Sequence, residues 1–167
     1  VTHFDGVTAT EYHFADLIDD FYCIEHADVS PDGTLWLADY EKVISFGSNQ
    51  WREYEHFGGI ILAVAGVNEN EVWLNNDTQL SHLDDGEWTV HRPTSQFEYY
   101  SSNIEIAANG DVLVAAFNRV RVFRYDGSTW AVMDSLSDKL AGSIRHIHDN
   151  GRGSLLLGTN DGTLHLY

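Results

Sequence analysis

The sequence predicts an all-β fold, a β-propeller of four blades with four antiparallel strands each, and three observations predict it. A stretch with a fixed order of turn, short apolar strand, polar turn, second apolar strand and Trp-opened strand, Ser30 to Tyr54, recurs in imperfect copies along the chain. The aromatic or Leu that closes the third strand of each unit falls at Phe4, Phe46, Leu83, Tyr125 and Tyr167, at intervals of 42, 37, 42 and 42 residues. A period near forty with about four short strands per unit is that of propeller blades. Each copy is also preceded by an apolar segment suited to an inner strand: Phe21 to Asp28, Ile60 to Ala65, Asn103 to Ala108 and Ser143 to His148.

In chain order, Val1 to Phe4 reads as the end of a repeat, so a leader or further domains are expected to precede it. Thr8 to Phe14 matches an outermost strand, the place where other copies carry Trp51, Trp88 and Trp130. Repeats then run over approximately 15–57, 58–93, 94–135 and 136–167, the last being completed by 1–14, and together they make one domain, 1–167. Pairing of Thr8 to Phe14 with Thr163 to Tyr167 is expected to close the ring and leave no sheet edge open. The alternative is a four-blade slice of a larger propeller, because Val1 to Phe4 and Leu164 to Tyr167 claim the same third-strand phase. A closed ring implies a monomer, whereas a slice permits two chains to exchange ends as a dimer.

Turn chemistry supports the strand boundaries. In Ser30-Pro31-Asp32-Gly33 the proline fixes its own φ, and Asp and Gly tolerate turn geometry, so a strand begins at Thr34. Asp-Gly and Asn-Gly pairs recur at matching phases, including Asp5-Gly6, Asp85-Gly86, Asn109-Gly110 and Asp126-Gly127, where hairpins need positive φ; turn geometry, not calcium binding, accounts for them. Trp36, Trp73, Leu113 and Leu156 fall at equivalent second-strand positions and are expected to face the apolar layers between blades. Asp134 to Leu140 reads as a capped helical turn, and the connection from His91 to Ser102, with Phe97, Tyr99 and Tyr100, as a loop overhanging one face.

The pattern I-x-x-(A/D)-x-(D/N)-G-x-L-W-L-(A/G)-(D/T), followed some ten residues later by (F/Y)-D-G-x-x-W, resembles the two-component-regulator propeller repeats of bacterial sensor ectodomains, over almost the whole chain. Copies three and four depart from it, with Leu113 and Leu156 in place of Trp. The resemblance implies a sensor or surface protein and an extracytoplasmic location, secreted or periplasmic.

The chain has 167 residues, of which 43% are hydrophobic, enough for one ordinary domain. Its net charge of −17, from 26 acidic against 9 basic residues, repels phosphate backbones and anionic membranes, so nucleic acid is not an expected partner. No apolar run approaches the roughly 20 residues that cross a bilayer, and membrane insertion is not expected. The single Cys23 excludes an intrachain disulfide and reads as a buried structural thiol.

Two function classes follow. The first is a non-catalytic binding or interaction module for a small molecule, glycan or protein. Its candidate contacts are the polar turns between second and third strands, Tyr40 and Glu41, Asn76 and Asp77, Phe117 and Asn118, Asn160 and Asp161, which vary in type on a repeated scaffold. The alternative is a propeller-fold lyase or hydrolase with a His/acid site at the channel mouth. His26, His146 and His148 lie on inner strands, and His146 and His148 have the i, i+2 spacing that puts two ligands on one strand face. No nucleophile elbow, phosphate loop or metal motif supports that alternative, and no cofactor is expected.

Overall fold

A computed structural model describes residues 2–4, 6–11, 23–55, 58–93, 101–116, 121–133, 140 and 142–167, with the side chains of 3, 4, 101 and 102 excepted. The inferred helical turn at Asp134 to Leu140, the aromatic loop residues Phe97, Tyr99 and Tyr100, and the candidate contacts Phe117 and Asn118 lie, Leu140 apart, outside the described residues.

All the described elements are strands. Blade 1 comprises β3 (His26–Val29), β4 (Leu35–Ala38), β5 (Lys42–Gly47) and β6 (Gln50–Glu55). Blade 2 comprises β7 (Ile61–Asn68), β8 (Glu71–Asn76), β9 (Leu80–Asp84) and β10 (Glu87–His91). Blade 3 comprises β11 (Ser101–Ile106), β12 (Val112–Ala116), β13 (Arg121–Tyr125) and β14 (Trp130–Val132). Blade 4 has β15 (Ile144–Asp149), β16 (Leu155–Thr159) and β17 (Leu164–Leu166). Each sheet is an antiparallel meander in sequence order, and the inner strands β3, β7, β11 and β15 pack against one another in series. The propeller-blade reading therefore holds, down to strand order within each blade.

Tight turns make the meanders. Asp85 and Gly86 have φ of 46° and 88°, and Ser48 and Asn49 have 51° and 61°, so both hairpins reverse with two consecutive residues of positive φ, whose twist matches the flanking strands. Asp39, Asn76 and Asp126 each accept backbone N–H groups two and three residues ahead, which closes the next turns without further support. Those bonds hold the Asp126 carboxyl at about 2, below its ordinary value.

Alternation along the second strand of each blade builds the core. On β8, Val72 and Leu74 face blade 1, where they join Trp36, Ala38 and Val43. Trp73, between them, points the other way, into a layer shared with Ile104, Val112, Val114 and Phe123 of blade 3. The same alternation on β12 sends Leu113 and Ala115 toward Ile144, Ile147 and Leu157 of blade 4. Three apolar layers thus weld four sheets. Trp36, Trp73 and Leu113 are buried as expected, whereas Leu156 is half-buried, because its blade has no described neighbour on that side.

Inner strands are also stitched across blades by side chains that cap amide groups on the next inner strand. Asp28 Oδ2 accepts from Gly66 N at 2.8 Å, Asn103 Oδ1 from Ile147 N at 3.3 Å, and Glu105 Oε1 from Asp149 N at 3.1 Å. The amides lie on the inner edges of their sheets, where a strand has no backbone partner on one side.

Two expectations need correction. Thr8 to Phe14 was expected to pair with Thr163 to Tyr167. Instead β2 (Ala9–Glu11) pairs antiparallel with β1 (Thr2–Phe4), in the register Thr2↔Glu11, His3↔Thr10 and Phe4↔Ala9. Among the described residues β17 pairs only with β16, and no closed sheet forms. The reason is local: the turn at Asp5-Gly6, with Gly6 at φ 97°, brings β2 beside β1 after a few residues, whereas pairing with β17 closes a loop of nearly the whole chain. Cys23, the second correction, lies ahead of β3, partly exposed, with Sγ 3.3 Å from Glu25 Oε1. That hydrogen bond raises the thiol's proton affinity, which disfavours a reactive thiolate.

Candidate functional site

The turns between second and third strands lie at the end of the blades where the inner strands begin, and backbone hydrogen bonds hold them there. Ile61 N donates to Tyr40 O at 3.1 Å, Asp77 N to Ile60 O at 3.2 Å, and Asn160 N to Ser143 O at 2.9 Å. Tyr40 is half exposed, and its hydroxyl is raised in pKa by a hydrogen bond to Glu25. Glu41, Asn160 and Asp161 are exposed, and Asp77 is partly buried. Asn76 differs from the others: it is fully buried, and its Oδ1 accepts from Thr78 N and Gln79 N, so it shapes its turn. Asp161 likewise binds the Thr159 hydroxyl and Thr163 N, bonds that lower its pKa.

The three inner-strand histidines are not brought together as a metal site. Burial lowers the proton affinity of His26, which hydrogen-bonds the Ile61 backbone. His148 Nδ1 lies 3.0 Å from Glu105 Oε1 across blades 3 and 4, and His146 is exposed beside Gly158 on β16. Among the described residues no group of three or more His, Cys, Asp or Glu side chains is arranged to hold a metal ion. Burial raises the Glu105 carboxyl even though Asp149 N and His148 oppose it.

A cleft lies elsewhere, between blades 3 and 4, and comparison of the interfaces explains it. Trp36 lies across from Asp28 and Ser45 on its neighbouring strands, packs on Tyr54 at 5.3 Å between ring centroids, and donates Nε1–H to Asn68 O of blade 2 at 3.1 Å. It lies so close over Gly66 that a Cβ there would overlap the indole. Trp73, one blade on, stacks on His82 at 4.1 Å and 11°, with His91 at 4.6 Å in the place of Tyr54. In blade 3 the same three positions hold Leu113, Arg124 and Met133. Facing them on blade 4, Asp149 and Asn150 stand where blade 2 has Gly66 and Asn68.

Replacing Trp by Leu and Tyr by Met leaves a cleft of about 500 Å3, lined by Ala107, Leu113, Arg124, Met133, Asp149 and Leu155 among others. Its floor is apolar and its rim is charged. Arg124 Nε is salt-bridged to Asp111 Oδ2, which keeps the guanidinium charged and oriented. Asp149 bridges the blades, with Oδ2 accepting from Ala108 N at 2.7 Å and Oδ1 from Gly151 N at 3.1 Å. The cleft opens beside the turns between first and second strands, at the end of the blades opposite Tyr40 and Asn160. Arg124, Met133 and Asp149 escaped the sequence reading, although the substitution at Leu113 signals them once the repeats are aligned position by position.

No known protein family matches the sequence, and no curated protein does. Solved structures with similar folds are β-propellers. "YCF48 bound to D1 peptide" is 12% identical, with a TM-score of 0.69 over 86% of this chain and 50% of that one. The WD40 β-propeller domain of Doa1 is 13% identical, with a TM-score of 0.65 over 84% and 49%. The extracellular domain of the putative hybrid two-component system BT3049 from B. thetaiotaomicron is 14% identical, with a TM-score of 0.66 over 86% of this chain and 23% of that one. Virginiamycin B lyase from Staphylococcus aureus also matches, at 15% identity and a TM-score of 0.58, over 85% and 54%. The chain spans about half the length of most of these propellers, and at such identities the likeness shows the fold alone.

Proposed function

We propose that the chain is a non-catalytic binding or interaction module of the two-component-regulator propeller type, its four units acting as one domain in an extracytoplasmic protein. The observation that carries this reading is the end of the blades where inner strands begin. There, repeated backbone hydrogen bonds fix the turns while each turn displays a different side chain: Tyr40 and Glu41, Asp77, Asn160 and Asp161. A rigid frame with exchangeable side chains is how propellers acquire recognition surfaces. Two of the similar propellers, one bound to a peptide and one the extracellular part of a sensor, agree with that role and location. The partner class is a protein segment, glycan or small molecule.

Selection of a displayed random-peptide library against the full chain tests it. Recovered peptides are expected to lose at least tenfold in affinity on the double variant Tyr40→Ser, Asn160→Ser. Peptides that bind parent and variant equally overturn this placement.

A further inference from the structure

We propose that the cleft between blades 3 and 4 binds a small planar aromatic molecule with a ring N–H, an indole-type ligand, in the position that the chain's own tryptophans fill at the other two interfaces. The inference deepens the binding-module reading and rests on it. The occupant is identified by the protein itself: at two of three structurally equivalent interfaces an indole sits on the second strand, buried to within 1%. At the third, Leu113 stops short and the space stays open.

The surroundings of that space supply what an indole uses. Arg124 occupies the position from which His82 stacks on Trp73. A guanidinium held over an aromatic face adds a cation–π attraction, and Asp111 orients it. The carbonyl that receives the Trp36 N–H belongs to Asn68, which pairs with Glu71 just past the bulge after Gly66; Asn150, whose N–H donates to Ser154 O next to the Asp149 and Leu155 pair, is its counterpart on blade 4. Met133 replaces the aromatic ring of Tyr54 or His91 with a flexible thioether that adapts to a ring of variable outline. A volume of about 500 Å3 lies within the range of small-molecule sites. The carboxylates of Asp111 and Asp149 at the rim, and the net charge of −17, favour neutral or cationic ligands over anionic ones.

Met133 is the only methionine of the chain, so a 13C-labelled methionine methyl reports on this cleft alone. Titration of the full chain with indole is expected to move that resonance saturably. Tryptamine is expected to bind more tightly than indole-3-acetate, and 1-methylindole several-fold more weakly than indole. Leu113→Trp is expected to shift the methyl without ligand and to weaken indole binding at least tenfold. Arg124→Ser, which restores the residue type of blade 1, is expected to weaken it at least threefold while keeping the fold. A methyl unmoved by millimolar indole overturns the proposal, as does a Leu113→Trp protein that titrates like the parent. Should Leu113→Trp not fold, unchanged affinity in Arg124→Ser overturns it instead. Because the cleft and Tyr40 lie at opposite ends of the blades, failure here leaves the outcome of the Tyr40 and Asn160 variants independent.

Discussion

Blades 1 and 2 meet over Trp36, blades 2 and 3 over Trp73, but blades 3 and 4 meet over Leu113. The strand order around the three residues is the same, so the difference, Leu113 with Arg124, Met133 and Asp149 against Trp36 with Ser45, Tyr54 and Gly66, shows what a small set of side chains does at a blade interface. A fully buried Trp contributes about 2 to 3 kcal/mol by burial, and Trp36 also ties blades 1 and 2 through its N–H. Leu113 gives less area and no hydrogen bond. That junction keeps the polar bridge Glu105 to Asp149 N, the counterpart of Asp28 to Gly66 N, and has Asp149 to Ala108 N, but an open cleft replaces the indole. In a repeat protein stability is close to a sum of units and their interfaces. The first interfaces hold the fold, and the last gives up packing for space.

The largest effect that tests this contrast is expected for Trp73→Ala. It removes the centre of the blade 2 and 3 layer, with its contacts to His82, His91, Tyr125 and Trp130, and should cost about 3 to 5 kcal/mol. Leu113→Ala should cost less, because its cleft is already partly open. Equal losses in denaturant melts of the two variants contradict the contrast.

Gly66→Ala follows. The added methyl overlaps the Trp36 indole, and overpacking of this kind costs about 1 to 3 kcal/mol. Combining it with Trp36→Leu should recover part of that loss, since Leu is the residue at the equivalent position of blade 3. A double variant that is no more stable than additivity predicts breaks the equivalence between the two interfaces.

A smaller effect is expected from pH. His91, enclosed by Trp73, Tyr125 and Trp130 and next to His82, which pairs with Glu71, has its proton affinity lowered by burial and then by His82. The unfolded chain therefore binds more protons at this site than the folded one. Its contribution is intact above about 6.5, the ordinary histidine value, and is lost as pH falls below it. His26 acts in the same direction, whereas Glu105, raised by burial, acts oppositely at lower pH. His91→Tyr, which copies Tyr54, should reduce the loss of melting temperature between pH 7 and 5; an unchanged slope removes His91 from the account.

What the sequence made legible was what repeats four times. The period of the third-strand aromatics, the Asp-Gly turns and the position of Trp36 and Trp73 each place a strand, because alternation and turn geometry act within a few residues. Closure was not legible: Ala9 to Glu11 is compatible with either β1 or β17 by pattern, and chain proximity through Gly6 decides for β1. The cleft was half legible. Leu113 stands out as a departure from the repeat, but its consequence depends on Arg124, Met133 and Asp149, which come together from two blades and share no local motif.

Native-state hydrogen exchange tests the central claim, that side chains at one repeated position grade the interfaces, most directly. Amides of β8, between the two tryptophan layers, should exchange at least about tenfold more slowly than those of β16, the factor that corresponds to a difference of about 1.4 kcal/mol in opening free energy. Equal protection in β8 and β16, or slower exchange in β16, contradicts it.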